Sequence, residues 1–313
     1  MKILVTGGAG FMGNNFVRHM LSSSHDIVNL DAMKKEANPK NISGIKAANY
    51  SFIKGDITNA ADVAKASSGV DVIINYAAET HVDRSISNPR PFLESNVFGV
   101  LQLLEAVRRM DIKFIQIGTD EVYGTIDVGS FSEKTPINPR NPYSASKASA
   151  DILIQSFIET YGIDAVMTRS CNNFGPRQNP EKFVPMMITN VLLGKKIPIY
   201  GSGKNVREWI FVEDHCSAIE FILKKGVSGE LYNIGSGNEK TNIEVAKTVL
   251  SLMGKSERAI EFVKDRPGHD FRYSINFEKL RKLGWKPRFE FDEALKETIA
   301  WYKNNAPWWK SLT

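Results

Sequence analysis

Short apolar runs alternate with amphipathic stretches along the first half of the chain. Residues 2–6 form a β-rich apolar run that ends in a glycine cluster, after which Phe16, Val17, Met20 and Leu21 recur at helical spacing. Further strand-sized runs cover 27–30, ending at Asp31, and 50–53, ending at Lys54-Gly55-Asp56. Others cover 70–76, ending at Ala77-Ala78, and 114–117. Helical stretches such as 62–66 and 96–109 fall between them. Strands alternating with helices predict a parallel sheet covered by helices on both faces, an α/β architecture.

Beyond Arg169 the alternation loosens, and Pro176, Pro180, Pro185 and Pro198 punctuate loops and short helices. A smaller, mixed α/β lobe is expected there. No linker, low-complexity tract or internal repeat separates the lobes, which are therefore expected to exchange segments. Residues 1–173 are assigned to the large lobe, with returning segments near 216–240 and 285–303, and residues 174–313 mainly to the smaller one. Residues 230–235 predict a buried strand that rejoins the large sheet. Residues 292–302 predict a helix with Leu295, Ile299 and Tyr302 on one face, and Trp301, Trp308 and Trp309 read as packing residues.

A length of 313 residues with 42% hydrophobic content suits one large domain or two interleaved ones. The formal charge of +5 is too mild and dispersed for a nucleic-acid footprint. Cys171 and Cys216 stand far apart with no metal-ligand spacing, which argues for buried thiols and against a disulfide framework or a metal site. No run approaches the ~18 apolar residues a membrane span needs. The first ten residues break at Gly7 before a signal-peptide core could form, so a cytoplasmic location is expected.

Gly7-Gly8-Ala9-Gly10-Phe11-Met12-Gly13 follows the first strand and opens a helix. Such glycines let a pyrophosphate approach backbone N–H groups at the helix N-terminus. Alone, the pattern also suits a purely structural turn. Asp31, 18 residues beyond Gly13 at the end of the second strand, favours the dinucleotide reading and a Rossmann-like doubly wound sheet. An acid there accepts hydrogen bonds from a free ribose diol and repels a 2′-phosphate, favouring NAD over NADP, although Lys34 and Lys35 follow closely. Asp56 and Ile57, after the third strand, are placed to meet the adenine.

Tyr143 and Lys147 stand at i, i+4 on a helix opened by Asn141-Pro142. An ammonium near a phenol lowers the phenol's pKa, and a cationic nicotinamide lowers it further, so the tyrosine can act as a base near neutral pH. Thr119 lies just after the fifth strand and is followed by Asp120 and Glu121. Hydride transfer from an alcohol needs neither acid. The two carboxyls can work as a general acid/base couple if their environments separate their pKa values; a solvated turn with a capping acid is the plainer alternative.

With Thr119, Tyr143, Lys147 and the glycine turn in place, the chain resembles the extended short-chain dehydrogenase/reductases, and within them the dTDP-glucose 4,6-dehydratases. The likeness runs over nearly the whole chain. It rests on residues 77–85, Thr119-Asp120-Glu121-Val122-Tyr123-Gly124, Asn172-Asn173-Phe174-Gly175-Pro176, Pro180-Glu181-Lys182, Arg207-Glu208-Trp209, Val212-Glu213-Asp214-His215 and Arg266-Pro267-Gly268-His269-Asp270. The paired acids discriminate: related epimerases usually lack them, and related decarboxylases keep the Glu but typically not the Asp.

The resemblance implies dehydration of a nucleotide-activated hexose, dTDP-glucose in the first instance, with NAD held through turnover. Tyr143, activated by Lys147, would take the C4 hydroxyl proton; Glu121 would act as base at C5, Asp120 as acid on the departing C6 hydroxyl, and Thr119 would hold the sugar. Ala77, Ala78, Ser95 and Asn173 would lie near the cofactor, with Gly7, Gly10, Phe11, Met12 and Gly13 at its pyrophosphate. Thr80 and Asn172 would contact sugar or phosphate, and His81 would anchor the loop beside the nicotinamide. Lys182, Arg207, Asn238, Arg266 and His269 would surround the substrate diphosphate, and Pro198, Ile199 and Tyr200 would form the base-binding strand. A homodimer is implied, with no nucleic-acid or membrane partner. Lys34-Lys35-Glu36-Ala37 departs from the family's usual Thr-Tyr-Ala-Gly, and the chain is somewhat short, so peripheral loops are expected to be trimmed. A C4 epimerase or decarboxylase on the same scaffold, or a binding protein that lost its chemistry, are the competing readings. Thymine and uracil, which differ by one methyl, are not told apart at this stage.

Overall fold

The structure, a computed structural model, describes residues 1–35, 37–265 and 270–312. In chain order the strands are β1 Lys2–Thr6, β2 Asp26–Asp31, β3 Tyr50–Lys54, β4 Val72–Asn75, β5 Lys113–Thr119, β6 Ala165–Ser170, β7 Asn172–Phe174, β8 Ile197–Tyr200, β9 Val206–Phe211, β10 Leu231–Ile234, β11 Glu239–Thr241 and β12 Ile260–Val263. Seven of them form one sheet in the order β10-β6-β5-β4-β1-β2-β3, with every pairing parallel. This is the Rossmann-like doubly wound order expanded by one strand, and β10 is the returning segment expected near residues 230–235. A three-stranded sheet, β11-β9-β7, and the parallel pair β12-β8 make up the smaller mixed lobe.

Because successive side chains of a strand point to opposite faces, β1 feeds two cores. Ile3 and Val5 pack with Phe16, Val17 and Met20 of the helix Phe11–Leu21 on one face, while Leu4 packs with Leu103, Leu104 and Val107 of the helix Gly99–Met110 on the other. The first core continues through Phe174, Trp209, Val245 and Leu295 into the smaller lobe, so one apolar interior holds both together. The helices Val212–Lys225 and Phe291–Asn304 contribute to it, and Trp308 and Trp309 are buried as packing residues.

Three departures from the sequence pattern matter for the site. The run 70–76 yields a strand only over Val72–Asn75, which leaves Tyr76, Ala77 and Ala78 as a loop at its carboxyl end. The stretch 96–109 is not one α-helix: Glu94–Phe98 forms a single π-helical turn before Gly99–Met110. Such turns re-aim side chains locally and favour functional positions. β6 is masked in the sequence by Thr168, Arg169 and Ser170, all buried and all hydrogen-bonded inside the protein.

Candidate active site

A deep cleft opens at the carboxyl ends of the parallel strands, over the point where the order reverses between β1 and β4. The glycine turn forms one wall. Gly7 has φ +70°, and a Cβ there would come within 2.7 Å of the Ala77 backbone nitrogen; a Cβ on Gly13 would lie 2.4 Å from the Gly7 carbonyl oxygen. Gly10 caps the helix Phe11–Leu21 without a side-chain hydrogen bond, so the first N–H groups of that helix are left for a ligand. A backbone cradle that any Cβ would fill, at a helix N-terminus, fits the pyrophosphate of a dinucleotide.

Gly7, Gly10, Phe11, Met12, Gly13, Asp31, Asp56, Ile57, Ala77, Ala78, Ser95 and Asn173 all line this cleft. The Asp31 carboxylate accepts from Ala9 N–H at 2.9 Å and Met33 N–H at 2.8 Å, which ties the end of β2 to the glycine turn. Burial raises its pKa against those two bonds. Lys34, which as a sequence feature weighs against NAD, reaches Asp56 at 2.9 Å, and Lys35 reaches Glu181 at 3.4 Å. Both ammonium groups thus have carboxylate partners. Burial opposes ionisation of Asp56, but the Thr58 N–H and Lys34 outweigh it, and its pKa is lowered.

At the other end Thr119, Asp120, Glu121, Tyr143 and Lys147 meet in the same cleft, with Thr80, Asn172 and Lys182 nearby. β5 delivers Thr119, whose hydroxyl accepts from Glu121 N–H at 3.3 Å and so starts the short turn Asp120–Tyr123. The helix Pro142–Tyr161 delivers Tyr143 and Lys147. Its start is fixed by the Asn141/Ser144 capping box, by Pro142 in its first turn, and by Tyr143 N–H donating to Ser85 Oγ at 3.2 Å. Asn96, on the π-helical turn, accepts from Glu79 N–H and donates to the Glu79 carbonyl and to Ser146 Oγ at 2.9 Å, which clamps the loop after β4 to this helix. Sequence reasoning gave Asn96 no role; its only signal was an amide inside an otherwise apolar helical run.

The electrostatics separate the groups. Asp120 is 2% exposed, and its Oδ2 has no hydrogen-bond partner among the described residues. Burial, then Glu121 and Glu208, push its pKa well above the ordinary carboxylate value, with Arg207 opposing. Lys147 is pulled down to about 8 by burial, and its Nζ donates to the Ile117 carbonyl at 2.8 Å. The Tyr143 phenol is pushed up, by burial first and then by Glu121, while Thr119 lowers it through a side-chain hydrogen bond and Asp120 adds to the rise. The expectation of a phenol already lowered by Lys147 is therefore corrected: in the protein alone, desolvation and two acids raise it, and the group that opposes them is Thr119.

Around the sugar end, Lys182 Nζ donates to the Thr80 carbonyl at 3.1 Å and to Thr80 Oγ1 at 3.3 Å. Asn173 Nδ2 donates to Ser170 Oγ and to the Cys171 carbonyl. Its own Oδ1, with Asn172 Oδ1 and Gln178 Oε1, is buried without a partner among the described residues. Gln178 and Asn179 line the cleft although no motif singled them out; they follow Arg177, whose φ of +67° turns the loop. Unpaired buried acceptors gathered on one cleft call for a ligand.

Five expected contacts do not line the cleft: Pro198, Ile199, Tyr200, Arg207 and Asn238. Pro198 and Tyr200 lie on β8, with Tyr200 exposed. The Arg207 guanidinium donates to the carbonyls of Val206, Asp270 and Phe271 and lies 4.2 Å from the Tyr273 ring centroid. Asn238 N–H donates to Ser236 Oγ in the loop that Glu208 anchors by accepting from Ser236 and Gly237 N–H. Arg266 and His269 fall outside the described residues.

The Asp120 carboxyl has a consequence for stability. An acid whose folded pKa is raised binds more protons folded than unfolded, so its cost appears above the unfolded pKa and grows as pH rises toward the folded one. Asp120→Asn is therefore expected to raise the melting temperature by ~1–3 °C at neutral pH and to have no such effect near pH 3, as read by calorimetry. An equal or lower melting temperature at neutral pH would contradict a carboxyl whose pKa burial holds well above the ordinary carboxylate range.

A family model described as GDP-mannose 4,6 dehydratase matches residues 4–298. Low-salt glycan biosynthesis protein Agl12 of Haloferax volcanii is 49% identical over 305 residues, covering 96% of this chain and 98% of that protein. A dTDP-glucose 4,6-dehydratase of Streptomyces niveus is 45% identical, covering 100% and 96%. The crystal structure of DesIV, a dTDP-glucose 4,6-dehydratase from Streptomyces venezuelae with NAD bound, superposes with a TM-score of 0.98 at 42% identity, covering all of both chains.

Proposed function

The chain belongs to the GDP-mannose 4,6-dehydratase family, and we propose from this that it is an NAD-dependent lyase acting on dTDP-glucose. It converts dTDP-glucose to dTDP-4-keto-6-deoxyglucose and water through transient oxidation at C4, elimination across C5 and C6, and return of hydrogen to C6. The observation that carries this over an epimerase is the buried Asp120, its pKa held well above the ordinary carboxylate range, beside Glu121 in the same cleft as Tyr143 and Lys147.

NAD, when bound, supplies the hydride acceptor and donor and a positive ring charge beside Tyr143. The glycine turn and helix N-terminus bind its pyrophosphate, and Asp31 accepts from its ribose. Tyr143 Oη takes the proton of the C4 hydroxyl, held in line by Thr119 and by the ammonium of Lys147. The ketone so formed acidifies the C5 hydrogen. Glu121 removes that proton, and Asp120 gives its own to the C6 hydroxyl, which leaves as water. Glu121 then returns its proton to C5 as hydrogen re-enters at C6. The proton gained by Tyr143 equals the one lost by Asp120, so transfer between them restores the resting state. Separation of the two carboxyls into acid and base is the work of their different environments.

The substrate diphosphate is assigned to Lys182, which lines the cleft, together with Arg266 and His269 as the family resemblance implies. The chain is assigned a homodimeric state: Phe98, Ile152 and Tyr161 stand exposed on the helical face formed by residues 94–110 and Pro142–Tyr161, an apolar surface of the kind that pairs. Both thiols are free and buried, in keeping with the reducing cytoplasm. Among the described residues no helix is long and apolar enough to cross a membrane.

The test is incubation with dTDP-glucose, UDP-glucose and CDP-glucose, followed by product mass. A product lighter by one water from dTDP-glucose, with no added NAD and no net reduced cofactor, is expected. An isobaric product would sink the reading.

A further inference from the structure

A buried ion pair behind the catalytic helix takes no part in the chemistry above. Asp151 lies one turn beyond Lys147 on the helix Pro142–Tyr161, and both residues are 4% exposed. Arg169 on β6 donates Nε to Asp151 Oδ2 at 2.9 Å, and its guanidinium carbon lies 4.6 Å from the Tyr123 ring centroid. Tyr123 in turn donates to Asn233 Oδ1 at 2.9 Å, so Arg169 is held from two sides. Asp151 Oδ1 has no hydrogen-bond partner among the described residues, which leaves half of the carboxylate uncommitted inside the protein.

Lys147 Nζ is fixed by the Ile117 carbonyl, a bond that a neutral amine makes as readily as an ammonium. That contact sets where the nitrogen is, not whether it is charged. The charge needs another source, because desolvation removes the proton from a buried lysine. The groups facing this set can be named by element. Asp151 and Tyr143 share the helix, β6 brings Arg169, and the turn after β5 brings Asp120, Glu121 and Tyr123. The π-helical turn brings the uncharged Ser95 and Asn96. Of these, Asp151 is the carboxylate that acts on Lys147 in favour of its charged form, and Arg169 and Lys147 both favour ionisation of Asp151 against burial. A buried ion pair is often matched or bettered in stability by apolar packing, so stability alone gives no reason for this one.

We propose that Asp151 is a positioning residue for the reaction: held as a carboxylate by Arg169, it keeps the buried Lys147 in its ammonium form and so sets the upper pH limit at which Tyr143 can take the sugar proton. The inference rests on the assignment of Tyr143 and Lys147 as the proton-transfer pair.

The test uses the NAD-loaded enzyme and reads the pH dependence of kcat/KM, with melting temperature measured in parallel. Asp151→Asn is expected to move the alkaline limb to lower pH by about one unit while keeping the rate below the limb within a few-fold. Because that variant strands the Arg169 charge, the double variant Asp151→Asn with Arg169→Gln, a neutral pair, decides the matter and is expected to shift the limb the same way. Asp151→Glu should return the limb toward its original position. An unmoved limb in the double variant, or a loss equal at every pH, overturns the proposal and leaves the pair structural. Tyr143→Phe separates the two levels of inference. If it keeps C4 oxidation, the proton-transfer assignment itself fails. If it abolishes C4 oxidation while the Asp151 variants keep their limb, only the role of Asp151 fails.

Discussion

With Asp120→Asn and Glu121→Gln combined, reduced nicotinamide should accumulate on the enzyme when dTDP-glucose is added, and overall turnover should fall by about 10²–10⁴-fold. The double change removes the acid for the C6 hydroxyl and the base for C5 but leaves Tyr143, Lys147 and Thr119 untouched. Oxidation at C4 therefore proceeds and elimination stalls. Removing two like-signed acids also eases Tyr143 ionisation, since both hold the phenol up, so the first step is expected to survive near neutral pH. The near-ultraviolet band of the reduced cofactor, approaching one equivalent per site, is the signature. Unaltered turnover would refute both assigned roles, and loss of turnover without the band would move one of the acids into the oxidation step.

The parts of the site that were legible in the sequence are those where chemistry and local backbone share the same residues. Gly7, Gly10 and Gly13 are informative because a turn without Cβ atoms is needed both to close the strand-to-helix corner and to admit a phosphate. Tyr143 and Lys147 are informative because the helix period puts them on one side whatever surrounds the helix. Long-range partners are not legible in that way. Lys34 and Lys35 look like free cations until the fold brings Asp56 and Glu181 to them. Arg207 looks like a phosphate fork until the carbonyls of Asp270 and Phe271, more than sixty residues on, take its donors. β6 fails the apolar test for a buried strand because Arg169 carries its charge into the interior and meets Asp151 there. The π-helical turn at Glu94–Phe98 is a change of backbone hydrogen bonding that the residue types there do not mark. Desolvation, which decides the ionisation of Asp120, Tyr143 and Lys147, depends on the whole enclosure and so had to come from the fold.

Tyr143→Phe is expected to reduce turnover by about 10³-fold or more, and its place in the sequence of steps can be read by adding it to the Asp120/Glu121 double variant. Phe keeps the ring that meets Phe92 edge-on at 6.4 Å and loses only the oxygen, so packing around the helix start is retained. What is lost is the group that must give up a proton to the medium or to a neighbour before it can take one from the sugar. In the protein alone that group is disfavoured as a phenolate by burial and by Glu121. The positive charges beside it, Lys147 among them, thus have a measurable task. Because oxidation at C4 precedes elimination, the triple variant should show no reduced cofactor at all, where the double variant accumulates it. Substrate affinity should change little, since Lys182, Thr80 and Asn172 are unaltered. If the triple variant still builds up reduced cofactor, another group takes the C4 proton, and Lys147 or a water it holds becomes the base to examine.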